Sequence, residues 1–322
     1  MRLLPILVLV AMTTRAEAQN VALSGLAYLD YDYVLTGADG RAGDNGFGYR
    51  RIYLTADFEV ATSFDGRFRL EAQSTATDGD ARPVPFVKDA WFRWKDVLGD
   101  RHDVVLGVAP PPAMIDAEQF WGFRSISRTL LDKADVVDTR DLGLKLTGPI
   151  GQDNGLHYGV MLANDSFIGA ETDRAKRVYG QVGLRRDRSV ATVAANYAAA
   201  SGTAAQAVTG SVFAGRRFGG SLAGVEAFLR SRAGTDTASD ATDAGAAAFI
   251  RSRLNERLEL VARYDLVSTG ADEGSVVSGF ATAAIAFEPE PGIRLLPTIL
   301  VETERGTDAT MVMARFTAEI HF

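Results

Sequence analysis

Residues 309–322, the last strand-length stretch of the chain, read ATMVMARFTAEIHF. From position 312 onward every second residue is apolar, and from Arg315 onward the residues between them, such as Glu319, are polar or charged. Successive side chains of a β-strand point to opposite faces. This period of two therefore predicts a strand with one apolar face and one water-facing face, ending on the aromatic residue Phe322.

The same period recurs along the chain, for example in residues 67–73, 141–147 and 257–266. We count sixteen such segments between 21–31 and 309–322, with a mean length of about eleven residues. Transmembrane β-strands need about 9–11 residues. No long amphipathic helix is predicted.

The connections between these segments alternate in length. Those after even-numbered segments are short and carry turn residues, as in Phe218-Gly219-Gly220. Those after odd-numbered segments are longer: 32–46, 77–85, 110–139, 165–176, 199–205, 232–242, 267–274 and 304–308. Short turns at one end and long loops at the other are typical of outer-membrane β-barrels.

The composition excludes several classes. The 322 residues include no cysteine, which rules out disulfide frameworks and thiolate sites. Hydrophobic residues make up 47% and charged residues 23%, too much apolar surface for a disordered chain. A net charge of −7 argues against a non-specific nucleic-acid partner.

The first eighteen residues have the pattern of a secretory signal peptide. Arg2 precedes a short apolar run from Leu3 to Met12, and Ala16-Glu17-Ala18 supplies small residues for cleavage. We therefore expect residues 1–18 to be removed and residues 19–322 to form the exported domain.

A membrane barrel accounts for the pattern better than a soluble sandwich. Sixteen hairpin-connected strands exceed one sandwich, and an open sheet of that width would expose its edges. The polar face carries many arginines and carboxylates, which suits a water-filled lumen. The sequence thus predicts an all-β, transmembrane, antiparallel β-barrel of about sixteen strands in the outer membrane of a Gram-negative bacterium. Its outer face would contact lipid, and Phe322 would be read by the barrel-assembly machinery.

The third long connection, residues 110–139, is too long for a plain loop. We expect it to fold into the lumen as a constriction loop; the alternative is an external lid. Its acids include Asp116 and Glu118, and its bases include Arg124 and Arg128. An acidic loop opposite a basic wall would set a transverse field that selects solutes. The candidate wall residues are Arg51, Arg67, Arg69 and Arg93.

No cofactor or metal site is predicted. The three histidines, His102, His157 and His321, lie far apart and show no metal-ligand spacing. Carboxylates on the loops, such as Asp39 and Asp44, leave a calcium site open, but solvated loop charges are the simpler interpretation. No G-x-S-x-G motif occurs, and no enzyme is expected.

Several segments together resemble the porin O and P type family, often called phosphate-selective porins. They are YRRIYLTADFEV (49–60), GRFRLEAQ (66–73), VKDAWFRW (87–94), VVLGVAPPP (104–112), TRDLGLKLTG (139–148) and GLHYGVMLAND (155–165). The resemblance covers roughly residues 47–165; the second half matches only as a generic barrel. It implies a sixteen-stranded, trimeric outer-membrane channel for small anions or general solutes.

The chain departs from that family in its charges. The long loop has more acids than bases, and the wall arginines have carboxylate neighbours such as Asp57, Glu71 and Asp89. Membership is therefore better supported than phosphate selectivity. The sequence predicts a passive diffusion porin for small hydrophilic solutes or ions, including anions such as phosphate. The alternatives are a structural or adhesive barrel with a closed lumen, and a barrel-borne hydrolase.

Overall fold

A computed structural model describes residues 20–37, 40–74, 82–152, 155–164, 168–170, 174–200, 205–234, 240–271, 274–304 and 310–322. The predicted signal peptide, residues 1–18, and Asp39 lie outside the described residues. The sixteen strands are β1 (Asn20–Thr36), β2 (Asn45–Ala61), β3 (Phe64–Ala72), β4 (Phe86–Trp94), β5 (Asp103–Ala109), β6 (Asp141–Pro149), β7 (Leu156–Asn164), β8 (Lys176–Arg186), β9 (Ser189–Ala198), β10 (Ala207–Phe218), β11 (Ser221–Arg232), β12 (Ala241–Arg253), β13 (Leu258–Ala271), β14 (Gly274–Glu290), β15 (Ile293–Glu304) and β16 (Thr310–His321). Two helices, α1 (Pro112–Trp121) and α2 (Leu130–Lys133), lie between β5 and β6.

The strands form one closed antiparallel barrel in which each strand pairs with its neighbours in sequence and β1 pairs with β16. At the end of this seam the backbone of Gly25 exchanges two hydrogen bonds with Phe322, at 2.6 and 3.1 Å. A Cβ on Gly25 would lie only 2.2 Å from the Phe322 ring, so the ring needs a glycine beneath it. Closure leaves no strand edge unpaired, which a barrel in hydrocarbon requires.

The barrel wall is apolar outside and polar inside. On β9, Val193 is 64% exposed on the outer face, whereas Thr192 and Asn196 are buried on the inner face. The same alternation leaves large apolar side chains exposed on the outward faces of β5 to β8 as well. A water-soluble protein would bury these residues, so the outward face is suited to lipid. No helix among the described residues is long and apolar enough to cross a membrane.

Aromatic side chains lie near both ends of the outer surface. Phe64 and Trp94 stack beside the short turns, with ring centroids 5.4 Å apart. Tyr31 and Phe47 lie toward the long loops, with centroids 4.8 Å apart. Aromatic girdles at both interfaces are a feature of transmembrane barrels.

The predicted sixteen-stranded antiparallel barrel is confirmed, with strand boundaries close to those expected. Two connections are shorter than predicted: β1 continues to Thr36, past its predicted end at 31, and residues 267–274 do not form the predicted loop, because β13 continues to Ala271 and β14 begins at Gly274. The two strands stay paired to that end, with Gly270 opposite Ser275 and Ala271 opposite Gly274. Small and hydroxyl residues end the apolar alternation there, but they do not end the hydrogen-bond ladder.

Two irregularities in the ladder turn extra charges inward. The pairing of β1 with β2 shifts between Tyr28 and Leu29, so Arg50 and Arg51 both face the lumen. A similar shift between β3 and β4 brings the adjacent residues Lys88 and Asp89 to the inner face. Such β-bulges re-aim side chains that strict alternation would place outside.

Candidate functional site in the barrel lumen

The long connection between β5 and β6 is built around helix α1. The helix begins at Pro112, where a fixed φ and a missing N–H are tolerated. It ends at Gly122, whose φ of 68° is left-handed and whose N–H donates to the carbonyl of Glu118 at 3.0 Å. The short helix α2 follows.

This connection lies inside the barrel. Its residues bond to β2 through Arg50 and the carbonyl of Ser125, to β7 through Asp116 and His157, and to β12 through the carbonyl of Trp121. Strands β2, β7 and β12 are spread around the ring, and a segment can reach all three only from within it.

Apolar packing holds α1 against one side of the wall. Trp121 is fully buried, and Phe120 packs edge-on to Phe213 of β10 with centroids 5.7 Å apart. The wall leaves room for the helix because its inward residues there are small, including Ala194 of β9 and Gly215 of β10. A Cβ on Gly215 would lie 2.5 Å from the Phe120 ring.

Asp116 fastens the same helix to the wall. Its buried carboxylate accepts hydrogen bonds from His157 Nε2 at 2.8 Å, Gln181 Nε2 at 2.9 Å and Arg185 Nε at 2.7 Å. Asp116 therefore faces β7 and β8 rather than the open lumen.

A second anchor holds α2. The carboxylate of Glu226 accepts the N–H of Leu130 at 3.0 Å and pairs with Arg263 at 2.8 Å. Arg263 also pairs with Asp265, which binds Lys133 Nζ at 2.9 Å. Burial lowers the pKa of the Lys133 ammonium, although Asp265 opposes that shift.

The predicted wall arginines form a column on β2, β3 and β4. Their side chains all face the lumen: Arg51 lies opposite the inward-facing Tyr28 in the ladder, and Arg67, Arg69 and Arg93 lie opposite Asp57, Thr55 and Asp65. Each is paired with a carboxylate: Arg51 with Glu71 at 2.8 Å, Arg67 with Asp57 at 2.6 Å, Arg69 with Asp89 at 3.2 Å, and Arg93 with Asp65 at 2.5 Å.

Toward the long-loop end of this column the carboxylates lie deeper than the arginines. The side chain of Asp89 is 1% exposed and that of Arg69 is 16% exposed; Glu71 is 2% exposed and Arg51 is 15% exposed. Asp89 is further covered by Arg140, which donates to it. The charge nearest the lumen water is therefore cationic.

Two cavities occupy the lumen on either side of the loop. One, of about 480 Å³, lies toward the long-loop end and includes Arg50, Arg51 and Arg128 in its lining. The other, of about 590 Å³, lies toward the chain termini and includes Arg69 and Glu118. Tyr28 and Arg124 line both, so the cavities adjoin at these two side chains.

Arg124 is the charged side chain of the loop where the two cavities adjoin. It pairs with Asp132 at 2.6 Å and with Glu118 at 3.5 Å. Burial alone would lower the pKa of its guanidinium, but these two carboxylates outweigh burial and raise the pKa above its usual value. The loop thus presents an arginine, stabilised in its charged form, where the cavities adjoin.

The structure brings some of the predicted site residues together and separates others. Arg51, Arg69, Glu118, Arg124 and Arg128 line the two cavities. Arg67 and Arg93 lie nearer the short turns, outside both linings, and Asp116 is buried against the wall.

Sequence reasoning missed many of the lining residues, among them Tyr28, Arg50, Lys88 and Arg140. The one usable signal was the pair of adjacent charges at Arg50-Arg51 and at Lys88-Asp89. Consecutive charges in a strand that has an apolar outer face indicate a bulge, since alternation would place one of them in lipid.

Within the described ranges, no group of three or more metal-ligating side chains occurs. The histidines have other partners: His102 bonds to the Tyr158 hydroxyl, His157 to Asp116 and His321 to Glu319. The hydroxyl of Ser125, also inside the lumen, donates to Glu319.

No protein-family model matches the chain, and no curated protein matches its sequence. Solved structures do match. An anion-selective porin from Comamonas acidovorans aligns with a TM-score of 0.74 at 14% identity, over 94% of this chain and 99% of that one. The chain has the porin fold. Salmonella typhi OmpF in complex with daunomycin aligns at 0.69 and 11% identity, and the outer membrane channel DcaP of Acinetobacter baumannii at 0.65 and 12%, each over 94% of this chain and 97% of that one.

Proposed function

We propose that this chain is an outer-membrane porin, a passive diffusion channel for small hydrophilic solutes and ions that prefers anions. The single observation that carries the proposal is the lumen: a charged interior, narrowed by an in-folded loop, inside a wall whose outer face is apolar. A structural or adhesive barrel with a closed lumen does not require cavities lined by arginine on both sides of the in-folded loop.

The preference for anions follows from where the charges lie. Arg51 and Arg69 are nearer to the lumen than the carboxylates Glu71 and Asp89 that neutralise them, and Arg124 adds a guanidinium where the two cavities adjoin. In a narrow, partly dehydrated passage a solute responds most to the nearest charge. The loop, residues 110–139, would form the constriction in this channel, with Arg124 and Tyr28 at its narrowest part.

The selectivity is proposed to be weak and general rather than specific for phosphate. Every wall arginine of the column has a carboxylate partner, so the cationic excess comes from position and not from charge number. The resemblance to the O and P type porins supports an anion channel of this general kind.

Export and assembly complete the proposal. Residues 1–18 would direct secretion, and the mature barrel would sit in the outer membrane as a homotrimer. Phe322, which is 70% exposed at the end of β16, is accessible to the barrel-assembly machinery. The short-turn end of the barrel would face the periplasm.

The experiment is recording from planar bilayers in a salt gradient, with wild type, Arg124→Gln and the control Arg257→Gln. Arg257 is exposed in the turn before β13, so its loss changes net charge equally but outside the lumen. Removing a charge about 4 Å from a permeating ion costs about 1 kcal/mol in water. We therefore expect Arg124→Gln to lower the anion-to-cation permeability ratio about fivefold and Arg257→Gln to leave it unchanged.

Folded protein that produces no conductance in bilayers would refute the proposed channel function. Conductance with equal reversal potentials in all three proteins would keep the channel but remove the role of Arg124.

A further inference from the structure

Three apolar side chains face the lumen on β14, β15 and β16, toward the long loops. Phe280 and Leu300 line the cavity of about 480 Å³, and Met313 is the ladder partner of Leu300. Met313 lies two residues from Arg315, which lines the same cavity, so Met313 also points inward. The interior of a transmembrane barrel is polar as a rule. Phe280, Leu300 and Met313 therefore form an apolar patch inside a water-filled passage.

Packing of the in-folded loop does not account for this apolar patch. Among the described residues, Leu300 and Met313 lie outside both apolar clusters that hold the loop against the wall. Phe280 contacts one of these clusters, and the Lys133 ammonium lies 4.9 Å from its ring centroid. All three side chains of the patch are half-buried, so part of their apolar surface stays open. Pockets that bind small molecules combine such apolar surface with a few polar groups.

Two arginines lie beside the apolar patch and line the same cavity. Arg315 donates to Asp32 through Nε and Nη2, at 2.6 and 2.7 Å. Arg50 donates to Asp30 through the same two atoms, at 2.6 and 3.1 Å. In both guanidiniums, Nη1 is left without a hydrogen bond to any described residue. Since Asp30 and Asp32 are alternate residues of β1, the two guanidiniums lie about 7 Å apart, and one anionic group beside them is attracted by both.

The lining of this cavity is cationic overall. Among the described residues, Glu302 supplies the one carboxylate of the lining, and the carboxylates of Asp30 and Asp32 lie outside it. The cationic side chains of the lining are Arg50, Arg51, Arg124, Arg128, Lys133 and Arg315. A negatively charged solute is therefore favoured in this cavity over a neutral one.

The ladder sets the distance between the charges and the apolar patch. Leu300 is opposite Met313, and Arg315 is two residues along β16 from Met313. Inward residues that follow one another on a strand are about 7 Å apart. An anionic group beside Arg315 therefore lies one such step from the apolar row, and a solute of that length contacts both.

We infer that this cavity binds organic anions in which an anionic group is joined to an apolar body, with the anionic group beside Arg50 and Arg315 and the body on the apolar patch. The inference rests on the proposed function and narrows it, because it names the class of solute that the channel favours over small inorganic anions. Methionine and leucine side chains adapt to bodies of different shape, so the site accepts a class of solutes. Binding is weak, because a permeating solute must also leave.

The test is block of the chloride current of the full-length barrel in planar bilayers, at constant ionic strength, by three probes. Benzoate carries both an anionic group and a ring, acetate carries only the anionic group, and benzyl alcohol carries only the ring. The variants are Leu300→Asn, Leu300→Met and Arg315→Gln. The control is Trp91→Gln, because Trp91 lies opposite the inward-facing Arg67, nearer the short turns, and outside the linings of both cavities. Heat-modifiable migration shows that each variant is folded.

In wild type, benzoate should block with about tenfold higher affinity than acetate. This ratio follows from about 60 Å² of ring surface removed from water at about 25 cal/mol per Å². Benzyl alcohol should not block. Leu300→Asn should weaken block by benzoate about threefold and leave block by acetate unchanged, whereas Leu300→Met and Trp91→Gln should keep both. Arg315→Gln should weaken block by benzoate and by acetate alike, about fivefold.

Equal block by benzoate and acetate in wild type, or block by benzyl alcohol as strong as that by benzoate, would overturn the inference. Benzoate block that Leu300→Asn or Arg315→Gln leaves unchanged, or that Trp91→Gln weakens as much as Leu300→Asn does, would overturn it as well. If Leu300→Asn does not fold, the comparison of benzoate with acetate in wild type decides. These outcomes are read on a conducting barrel and refute this inference alone, whereas a folded barrel without conductance refutes the proposed function.

Discussion

Asp116→Asn tests how the loop is held inside the barrel. The carboxylate of Asp116 is almost fully buried and accepts bonds from His157, Gln181 and Arg185. An amide of the same shape keeps one acceptor oxygen but loses the charge, and its NH₂ group points at donors. The bond to Gln181 and the charge-assisted bond to Arg185 are therefore weakened at once.

The free-energy cost of Asp116→Asn follows from the hydrogen-bond partners of the carboxylate. Hydrogen bonds to charged groups contribute about 1.5–3 kcal/mol, and breaking a buried ion pair costs about 3–5 kcal/mol. The Arg185 side chain is 50% exposed, so hydration compensates in part for the loss of its ion pair with Asp116. We expect Asp116→Asn to weaken docking of α1 by about 2–3 kcal/mol.

The measurement is hydrogen exchange of the segment 112–121 in the folded barrel, together with current noise in single channels. Exchange that occurs by undocking should quicken by about thirty- to 150-fold, and the open-channel current should become noisier. Glu118→Gln is the control, because Glu118 lies on the same helix but lines a cavity, with 32% of its side chain exposed. Equal exchange in Asp116→Asn and wild type would show that the Asp116 cluster does not hold the loop.

Two further predictions concern the wall. Gly25→Val should slow closure of the β1–β16 seam, because the new side chain meets the Phe322 ring, and less heat-modifiable folded protein should form; Gly46→Val, with nothing within 4 Å, should assemble like wild type. Arg263→Met leaves Glu226 buried without its cation and removes one of the two cations paired with Asp265, and it should lower the free energy of unfolding by about 3–5 kcal/mol. A urea midpoint equal to that of wild type would contradict the second prediction.

The fold could be predicted because every strand in a membrane barrel obeys one local rule. Alternation alone located β9 at 189–198, where Val193 faces outward and Thr192 inward. The end of β13 could not be predicted in the same way. Its last residues, Thr269 and Gly270, carry no apolar alternation, and pairing with β14 keeps them in the sheet.

The site was harder to predict because it depends on rotations and bulges. Asp116 and Glu118 lie two residues apart on α1, and a helix turns such neighbours to different faces. The spacing of Asp116 from Ala113 and Phe120, both buried against the wall, is the signal that assigns it to the wall side. The number of acidic residues in the loop does not show which of them face the wall.

Arg50 illustrates the second difficulty. Strict alternation from Arg51 puts Arg50 in lipid, yet the bulge opposite Tyr28 turns it inward to Asp30, at 2.6 Å. The position of the bulge depends on pairing with a strand twenty residues away, which a local pattern does not contain.

The most direct test of the central account uses the absence of cysteine from the chain. In Arg124→Cys the introduced thiol is the sole reactive one, and it can be modified with a cationic or an anionic methanethiosulfonate reagent during bilayer recording. If Arg124 lies in the ion path and sets its sign, the cationic adduct should move the reversal potential back toward anion preference. The anionic adduct should move it toward cations. A reversal potential that neither reagent changes, on a channel shown to be labelled, would contradict the account.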